Sequence, residues 1–389
     1  MIRLFINCQA ATSGSGLTYP RNVIPQLARR QDVDTTVLLS PALRREFGDL
    51  PNISYVETSD FSGAARRFFH EQTALPKLIR QSGAQVLISA GNFALFNSPV
   101  PQILLSGNSL YTSADFFRDL RARGDYRLWA DTLVKGWFAR RSVERADLTV
   151  APSDAFARDL SHWSGKKVVA IHHGFDAKIF ARDRTPLPAE VQARLDAGKV
   201  ALRLLFVSHY NYYRNFETLF RAIPILQERL RGKPVKLYLT CRLNYADNPG
   251  KYKAEAASSL VNHLCLGHHI VELGALPYCS LHHLYRACHV YVTPAYAESF
   301  AHPLVEAMSS GLPVVASDLP VHHEVCGDAA LYFPRFSCEA IAEAVLGICQ
   351  SPALAAQLSD NGRKRSQDFS WEKHVDCLLD FARGLVSAG

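Results

Sequence analysis

The chain has 389 residues, 48% of them hydrophobic and 20% charged, and a formal net charge of +7. That length is too great for one compact core and comfortable for two domains, and the composition excludes a disordered or fibrous chain. The basic bias is mild and diffuse. It fits an anionic ligand or an acidic membrane surface and is far too diffuse to imply nucleic acid, so no nucleic-acid partner is expected, while no apolar run approaches the ~20 residues that span a bilayer.

The first residues, Met1-Ile2-Arg3-Leu4-Phe5-Ile6-Asn7-Cys8, are too few and too soon polar for a signal peptide, and read as a buried strand over Ile2–Ile6. Ser13-Gly14-Ser15-Gly16 follows. Glycines there let a ligand approach the backbone, which makes Gly14 and Gly16 candidate binding positions, with a flexible turn as the alternative. A dinucleotide fingerprint would need glycine where Tyr19 stands. Asp32-Val33-Asp34 reads as a turn, not as a metal-binding pair. Further apolar runs at Thr35–Leu39, Val86–Ser89, Gln102–Leu105, Leu148–Ala151 and Val168–Ile171 alternate with helical character over Pro20–Arg30, Gly63–Gln81 and Asp115–Ala146. Alternation at this spacing predicts a parallel sheet wrapped by helices.

Ser106-Gly107-Asn108-Ser109 leaves the strand Gln102–Leu105. Asn108 there is a candidate for hydrogen bonding substrate hydroxyls, or simply a turn asparagine. In the long helix, Trp129, Leu133, Trp137 and Phe138 run among Lys135, Arg140, Arg141 and Arg145. Such a stripe either lies on a membrane surface or packs on its own sheet.

A polar, Pro-containing connector lies between Asp176 and Gly198, and the domain boundary is expected there. The first domain then covers residues 1–180 and the second 199–369, with residues 370–389 as a C-terminal helix. The second half repeats the pattern with strands at Leu202–Val207, Val235–Leu239, Ile270–Leu273, Val290–Val292 and Pro313–Ala316. Trp371–Leu385 is amphipathic, with Val375, Leu378, Leu379 and Phe381 on its apolar stripe.

Two loops of this half carry chemistry. Ser208-His209-Tyr210-Asn211-Tyr212-Tyr213-Arg214-Asn215 follows a strand and precedes a helix. Arg214 there can make charge-assisted bonds to phosphate, and His209 supplies a full charge only if its pKa is raised. Then Glu298-Ser299-Phe300-Ala301-His302-Pro303-Leu304-Val305-Glu306 places one acid in a loop and one in the first helical turn. Pro303 suits a helix start, Gly311 a left-handed cap, and the unpaired N–H groups of the start suit a phosphate. Loops of this kind leave the carboxyl ends of parallel strands, where ligands bind.

Nine cysteines are scattered without Cys-x-x-Cys spacing, and only Cys8 precedes residue 240, which fits a reducing, cytoplasmic setting. The histidine pairs His172-His173, His268-His269, His282-His283 and His322-His323 lack the spacing of helical zinc ligands, so no metal and no cofactor are expected.

The stretch from Tyr285 to Phe333, with Glu-x7-Glu ending at Glu306, then Glu306-Ala307-Met308-Ser309-Ser310-Gly311-Leu312-Pro313-Val314-Val315, His323-Glu324-Val325 and Gly327-Asp328-Ala329-Ala330, resembles the donor-binding core of the retaining GT-B glycosyltransferases of family GT4. The likeness is sharp in the second half and loose in the first. It implies two Rossmann-like parallel-sheet domains facing a cleft, with residues 370–389 crossing back onto the acceptor-side domain. It also implies transfer of a sugar from a nucleotide-sugar donor to a glycan or lipid-linked acceptor, without metal and with retention. Bacterial cell-surface polysaccharides are frequent products in that family.

Carried over residue by residue, the resemblance makes Glu298, Arg214 and His209 the catalytic group. Glu306 would bind the ribose, and Ser299, Phe300, Ala301, His302, Pro303, Leu304 and Ser208, with Gly14 and Gly16, would surround the nucleotide-sugar; Asn108 would lie on the acceptor side. Three positions depart from the pattern. His209 stands where arginine is usual, Ala301 where glycine is common, and Ser106-Gly107-Asn108-Ser109 holds no histidine where many relatives place one. If the backbone at residue 301 needs positive φ, alanine there costs about 1 kcal/mol. A nucleotide-sugar epimerase and a non-catalytic partner in a glycan-assembly complex are the alternatives, and the transferase is expected in the cytoplasm with a peripheral contact to the inner membrane face.

Overall fold

The short apolar runs become strands, and the order in which they pair decides where ligands can bind. The computed structural model describes residues 1–11, 15–58, 61, 63–182, 185–248, 250 and 252–388. In the first sheet the strands are β1 (Ile2–Asn7), β2 (Val33–Leu39), β3 (Ile53–Glu57), β4 (Val86–Ala90), β5 (Gln102–Leu105), β6 (Leu148–Ala151) and β7 (Val168–Ala170). They pair in the order β3-β2-β1-β4-β5-β6-β7. The second sheet holds β8 (Leu202–Phe206), β9 (Val235–Leu239), β10 (Ile270–Glu272), β11 (Val290–Thr293), β12 (Val314–Ser317) and β13 (Ala330–Phe333), ordered β10-β9-β8-β11-β12-β13. Every pairing is parallel. Both faces of such sheets are covered, so the central strands β4, β11 and β12 are buried almost throughout.

Two strands lie outside the sequence expectation. β3 is an edge strand of half-buried and exposed residues, so it lacks the continuous apolar run of a central strand. β13 is the opposite edge of the second sheet, four residues long and starting inside the Gly327-Asp328-Ala329-Ala330 motif. The helix expected over Asp115–Ala146 is two helices, Ala114–Ala122 and Tyr126–Arg145. Gly124 ends the first in the left-handed region at φ 67°, and Asp125 caps the second by accepting the Leu128 N–H at 3.2 Å.

The stripe on Tyr126–Arg145 faces the other way from a core stripe. Thr132, Gly136, Ala139, Ser142 and Val143 are the buried residues, while Leu133 (43% exposed) and Trp137 (54%) point to solvent. Small side chains let this helix sit close to its neighbours, while Phe138 is half-buried with its ring 5.2 Å from that of Phe68.

Two compact units divide the chain: Met1–Ser113 with Leu120–Gly174 and Ser370–Gly389, and Ala114–Asp119 with Phe175–Phe369. The chain therefore leaves the first unit at Gly174, a few residues before the connector. It returns beside its own exit, because a Cβ on Gly174 would stand 2.0 Å from the Trp371 nitrogen. The returning helix Trp371–Ala388 buries Trp371, Val375, Leu378, Leu379 and Ala382 in the core that holds Leu4, Ile6, Val23 and Leu27. Phe381 belongs to the opposite edge of that helix and is 37% exposed. Six residues after Val375, it falls off the i, i+3, i+4, i+7 face that Val375, Leu378, Leu379 and Ala382 share.

Candidate active site

The strand order of the second sheet reverses between β8 and β11, and the loops leaving these two strands carry the charged residues. After β8 the chain makes a short 3-10 turn over Tyr212–Arg214 and then enters the helix Phe216–Arg229. Asn215 joins them at φ 55°, a left-handed conformation that asparagine tolerates better than most residues. Its side chain is fully committed. Nδ2 donates to the carbonyls of Pro294 (3.1 Å) and Arg335 (2.7 Å), and Oδ1 accepts from Thr218 Oγ1 at 2.7 Å. The Tyr296 N–H donates to the Tyr213 carbonyl at 2.9 Å. Together these bonds lace the β8 loop to the β11 loop.

Arg214 and Glu298, 84 positions apart in sequence, meet as an ion pair between Nη1 and Oε2. The Arg214 guanidinium also sits 5.2 Å from the centre of the Tyr213 ring. Burial works against the arginine's charge, but the Glu298 carboxylate, together with the Tyr213 and Tyr291 hydroxyls, outweighs it and holds the pKa above the ordinary value. Its Nε is buried without a hydrogen-bond partner, so the pair is not saturated. His209 is exposed, and its pKa is lowered by partial burial and then by the Arg214 charge. Both effects favour its neutral form. Ser208 anchors the start of this loop: its N–H donates to Thr240 Oγ1 at 3.0 Å.

The helix His302–Ser309 begins directly after Ala301, which takes φ 68° and ψ 63°. An alanine therefore does adopt the conformation that glycine would adopt freely, at a cost of about 1 kcal/mol. No side chain caps this helix start. His302, beside Phe300 at 4.9 Å between rings, is pushed down to about 4 by burial, with Glu298 opposing. Pro303 lies second in the helix, Gly311 closes it at φ 71°, and Glu306 is one turn inside.

Glu306 is 5% exposed, and among the described residues no cation pairs with it. Its Oε2 accepts from the Tyr285 hydroxyl at 2.8 Å, and Tyr278 bonds the same carboxyl. Burial pushes this carboxyl up to about 7, with the two hydroxyls working against the rise. The two acids thus differ in kind: Glu298 is held by charge, Glu306 by neutral hydroxyls.

Residues 192–365 match the sequence model of the family described as glycosyl transferases group 1. The matched stretch makes up most of the second unit. Over 292 residues the chain is 26% identical to D-inositol 3-phosphate glycosyltransferase of Kineococcus radiotolerans, covering 72% of this chain and 66% of that protein. It is 36% identical over 100 residues to O-antigen chain mannosyltransferase B of Escherichia coli, 26% of either chain. The curated relatives it matches first are spanned over 25–66% of their own lengths. Among solved structures, sucrose-phosphate synthase from Thermosynechococcus elongatus superposes with a TM-score of 0.77 at 19% identity, each chain covered fully. Anabaena HepE in complex with UDP-glucose gives 0.72 at 15% identity, over 99% of this chain and 100% of that one. At such identities the likeness concerns the fold, two Rossmann-like parallel-sheet domains of the GT-B kind.

Ser208, His209, Arg214 and the whole run from Glu298 to Glu306 lie in this group 1 unit. Gly16 and Asn108 belong to the first unit. Gly14 lies outside the described residues. Gly16 is exposed near the start of the helix Ser15–Ala28. The Asn108 Oδ1 accepts the Leu110 N–H at 3.1 Å, as a turn asparagine's would.

Sequence reasoning passed over Asn215, Tyr278, Tyr285 and His322. Tyr285 opens the motif stretch and Asn215 closes the Arg214 loop, so both were in view without a role. His322 is fully buried behind the group 1 site, with Nδ1 at 2.9 Å from the Ser317 carbonyl oxygen and 3.1 Å from Ser317 Oγ. Burial above all pushes it down to about 4, leaving a neutral ring whose Nε2 has no partner.

Proposed function

We propose that this protein is a glycosyltransferase of the GT4 kind, moving a sugar from a nucleotide-sugar donor to a glycan or lipid-linked acceptor with retention and without a metal. The observation that carries the reading is the Arg214–Glu298 pair standing beside an uncapped helix start at the strand-order reversal of a group 1 unit. Arg214 and the N–H groups of His302–Leu304 would hold the donor diphosphate and stabilise the charge that develops on departure. The open Nε of Arg214 leaves a donor for a second phosphate oxygen. His209, neutral without ligand, would gain its proton when a diphosphate replaces the surrounding positive field with a negative one. Glu306 would accept from the ribose hydroxyls, kept in place by Tyr285 and Tyr278. Glu298, freed from part of its pairing by the incoming phosphates, would orient the donor sugar and stabilise positive character at the anomeric carbon. No side chain is assigned as nucleophile. The UDP-glucose of the Anabaena structure makes UDP-sugars the first donors to try.

Membrane contact belongs to the same proposal. Tyr126, Leu133, Val134 and Trp137 are exposed on one helix that also carries Arg127, Lys135, Arg140 and Arg141. Apolar side chains beside basic ones on an exposed helix suit an acidic lipid surface. No single helix among the described residues is long and apolar enough to cross a membrane.

Thermal-shift screening against UDP-, GDP-, dTDP- and ADP-sugars tests the donor site. A selective shift lost in Glu306→Ala and Arg214→Ala is expected; no shift in folded protein would count against the transferase. Transfer that persists in EDTA, with the anomeric configuration of the product read by NMR, tests the rest. Co-sedimentation with phosphatidylglycerol vesicles, lost in a Leu133→Ser/Trp137→Ser variant, tests the lipid contact.

A further inference from the structure

The first sheet reverses its strand order between β1 and β4, and at the carboxyl ends of these two strands there is a recess that no residue discussed so far uses. Asn7 ends β1, Gly91 and Phe93 follow β4, and Arg67, Phe68 and Glu71 come from the helix Ala64–Ser82. Gly91 is needed for the close approach of the two loops: a Cβ there would lie 2.7 Å from Ala10 Cβ. The space at its bottom is about 10 Å³, room for one oxygen-sized group.

Glu71 is 8% exposed, and its Oε1 is buried without a hydrogen-bond partner. The Arg67 Nε is 3.6 Å from that oxygen, too far for a hydrogen bond. Leaving a buried acceptor unsatisfied costs about 1–3 kcal/mol, so the fold holds open a position that a group from outside would complete. A hydroxyl fits it. It can donate to Glu71 and accept from Arg67 at once, and an oxygen about 2.8 Å from each closes a triangle on the 3.6 Å edge. Phosphate fits worse, because it would bring a second anion against the carboxyl. Burial pushes that carboxyl up to about 7, opposed by Arg67 and Asn7, so both its forms are populated near neutral pH and either accepts a hydrogen bond. Phe68 and Phe93, half-buried with rings 5.9 Å apart and nearly perpendicular, wall the recess with apolar surface of the sort that packs against the C–H face of a saturated ring.

We propose that this recess is a subsite for one hydroxyl of an uncharged, polyhydroxylated ring, a sugar or cyclitol, received by Glu71 and Arg67 and packed on Phe68 and Phe93. The ring is the acceptor's if the transferase reading holds; that link alone rests on it.

Saturation-transfer NMR of the full chain with methyl α-glucopyranoside, methyl α-mannopyranoside and myo-inositol tests the subsite. At least one ring is expected to bind. Glu71→Met, which removes the acceptor at similar length, should weaken it at least tenfold, roughly the loss of one hydrogen bond to a charged group. Glu71→Gln keeps an oxygen and should stay within about threefold of the native value, and inorganic phosphate should not displace the ring. If Glu71→Met fails to fold, Arg67→Met carries the same expectation. No binding by any of the three rings, undiminished binding to the methionine variants, or displacement by phosphate would overturn the proposal. Nucleotide-sugar thermal shifts on the same samples separate the two readings. Shifts without ring binding would sink the subsite alone, and ring binding without shifts would sink the transferase alone.

Discussion

The two sheets turn at corresponding places, between the first and fourth strands of each, yet their carboxyl-edge loops are furnished differently. In the second unit the groups are tied to one another: Arg214 to Glu298, Tyr285 to Glu306, Asn215 across two loops. In the first unit Glu71 keeps an unpartnered oxygen and Asn108 is spent on its own turn. The lesson concerns preorganisation. On the proposed reading, a site that meets a diphosphate holds its charges in place beforehand, because an unpaired buried charge is costly. A site for a neutral hydroxyl can leave one acceptor open at lower cost.

The strongest way to break this contrast is Arg214→Ala. It strands Glu298 in a largely buried position, so we expect a loss of about 3 kcal/mol in urea unfolding, alongside a 10²–10³-fold drop in transfer. The double variant Arg214→Ala/Glu298→Ala should regain much of the stability and none of the activity. A single variant that unfolds like the native protein would mean the pair is not preorganised.

The pH dependence sharpens the comparison, since Glu71 and Glu306 sit at the two reversal points and both are pushed up to about 7 by burial. A folded-state pKa above the unfolded value means that each contribution is fully present below about pH 4.5 and is lost as pH rises through about 7. His302 and His322, pushed down to about 4, act in the opposite sense: their contribution is present above about pH 6.5 and is lost as pH falls through 4. Differences between variant and native protein isolate the acids. Glu71→Gln and Glu306→Gln should each gain on the order of 1–3 kcal/mol relative to native between pH 5 and pH 8, measured by urea unfolding at both. A flat difference for either would show that its carboxyl titrates normally.

Tyr285→Phe comes next. Removing one hydroxyl from Glu306 should cost about 1–2 kcal/mol and weaken nucleotide-sugar binding several-fold by calorimetry, by loosening Glu306 without removing it. Unchanged affinity would leave Tyr285 with a packing role only. Smallest is Ala301→Gly, which relieves the left-handed strain but frees the unfolded chain. A gain of about 0.5 kcal/mol is expected in thermal melts, and a loss would mean that the Ala301 methyl group packs more strongly than its backbone is strained.

Legibility followed how locally each feature is encoded. Strands β4 to β6, β8, β9, β11 and β12 were readable because burial on both faces demands unbroken apolar runs, whereas β3 and β13, at sheet edges, carry half-exposed residues and no such run. The helix Tyr126–Arg145 was visible as apolar and basic, but which face it buries depends on its neighbours, and they select Gly136 and Ala139 over Trp137.

What the sequence by itself determined is the set of groups that lie on one short segment. The loop from Glu298, the helix start at His302 and the turn into Glu306 are contiguous, so spacing alone places one acid outside the helix and one inside. The partners were decided only by the tertiary structure. Arg214 reaches Glu298 across 84 residues, Tyr285 meets Glu306 because β11 lies between them in sequence and returns the chain, and Glu71 is buried with one oxygen lacking a hydrogen bond beside the loops that follow β1 and β4. Hydrogen bonds and ion pairs act over a few ångströms in space, and only the parallel crossovers of the two sheets bring residues so far apart in sequence within that range.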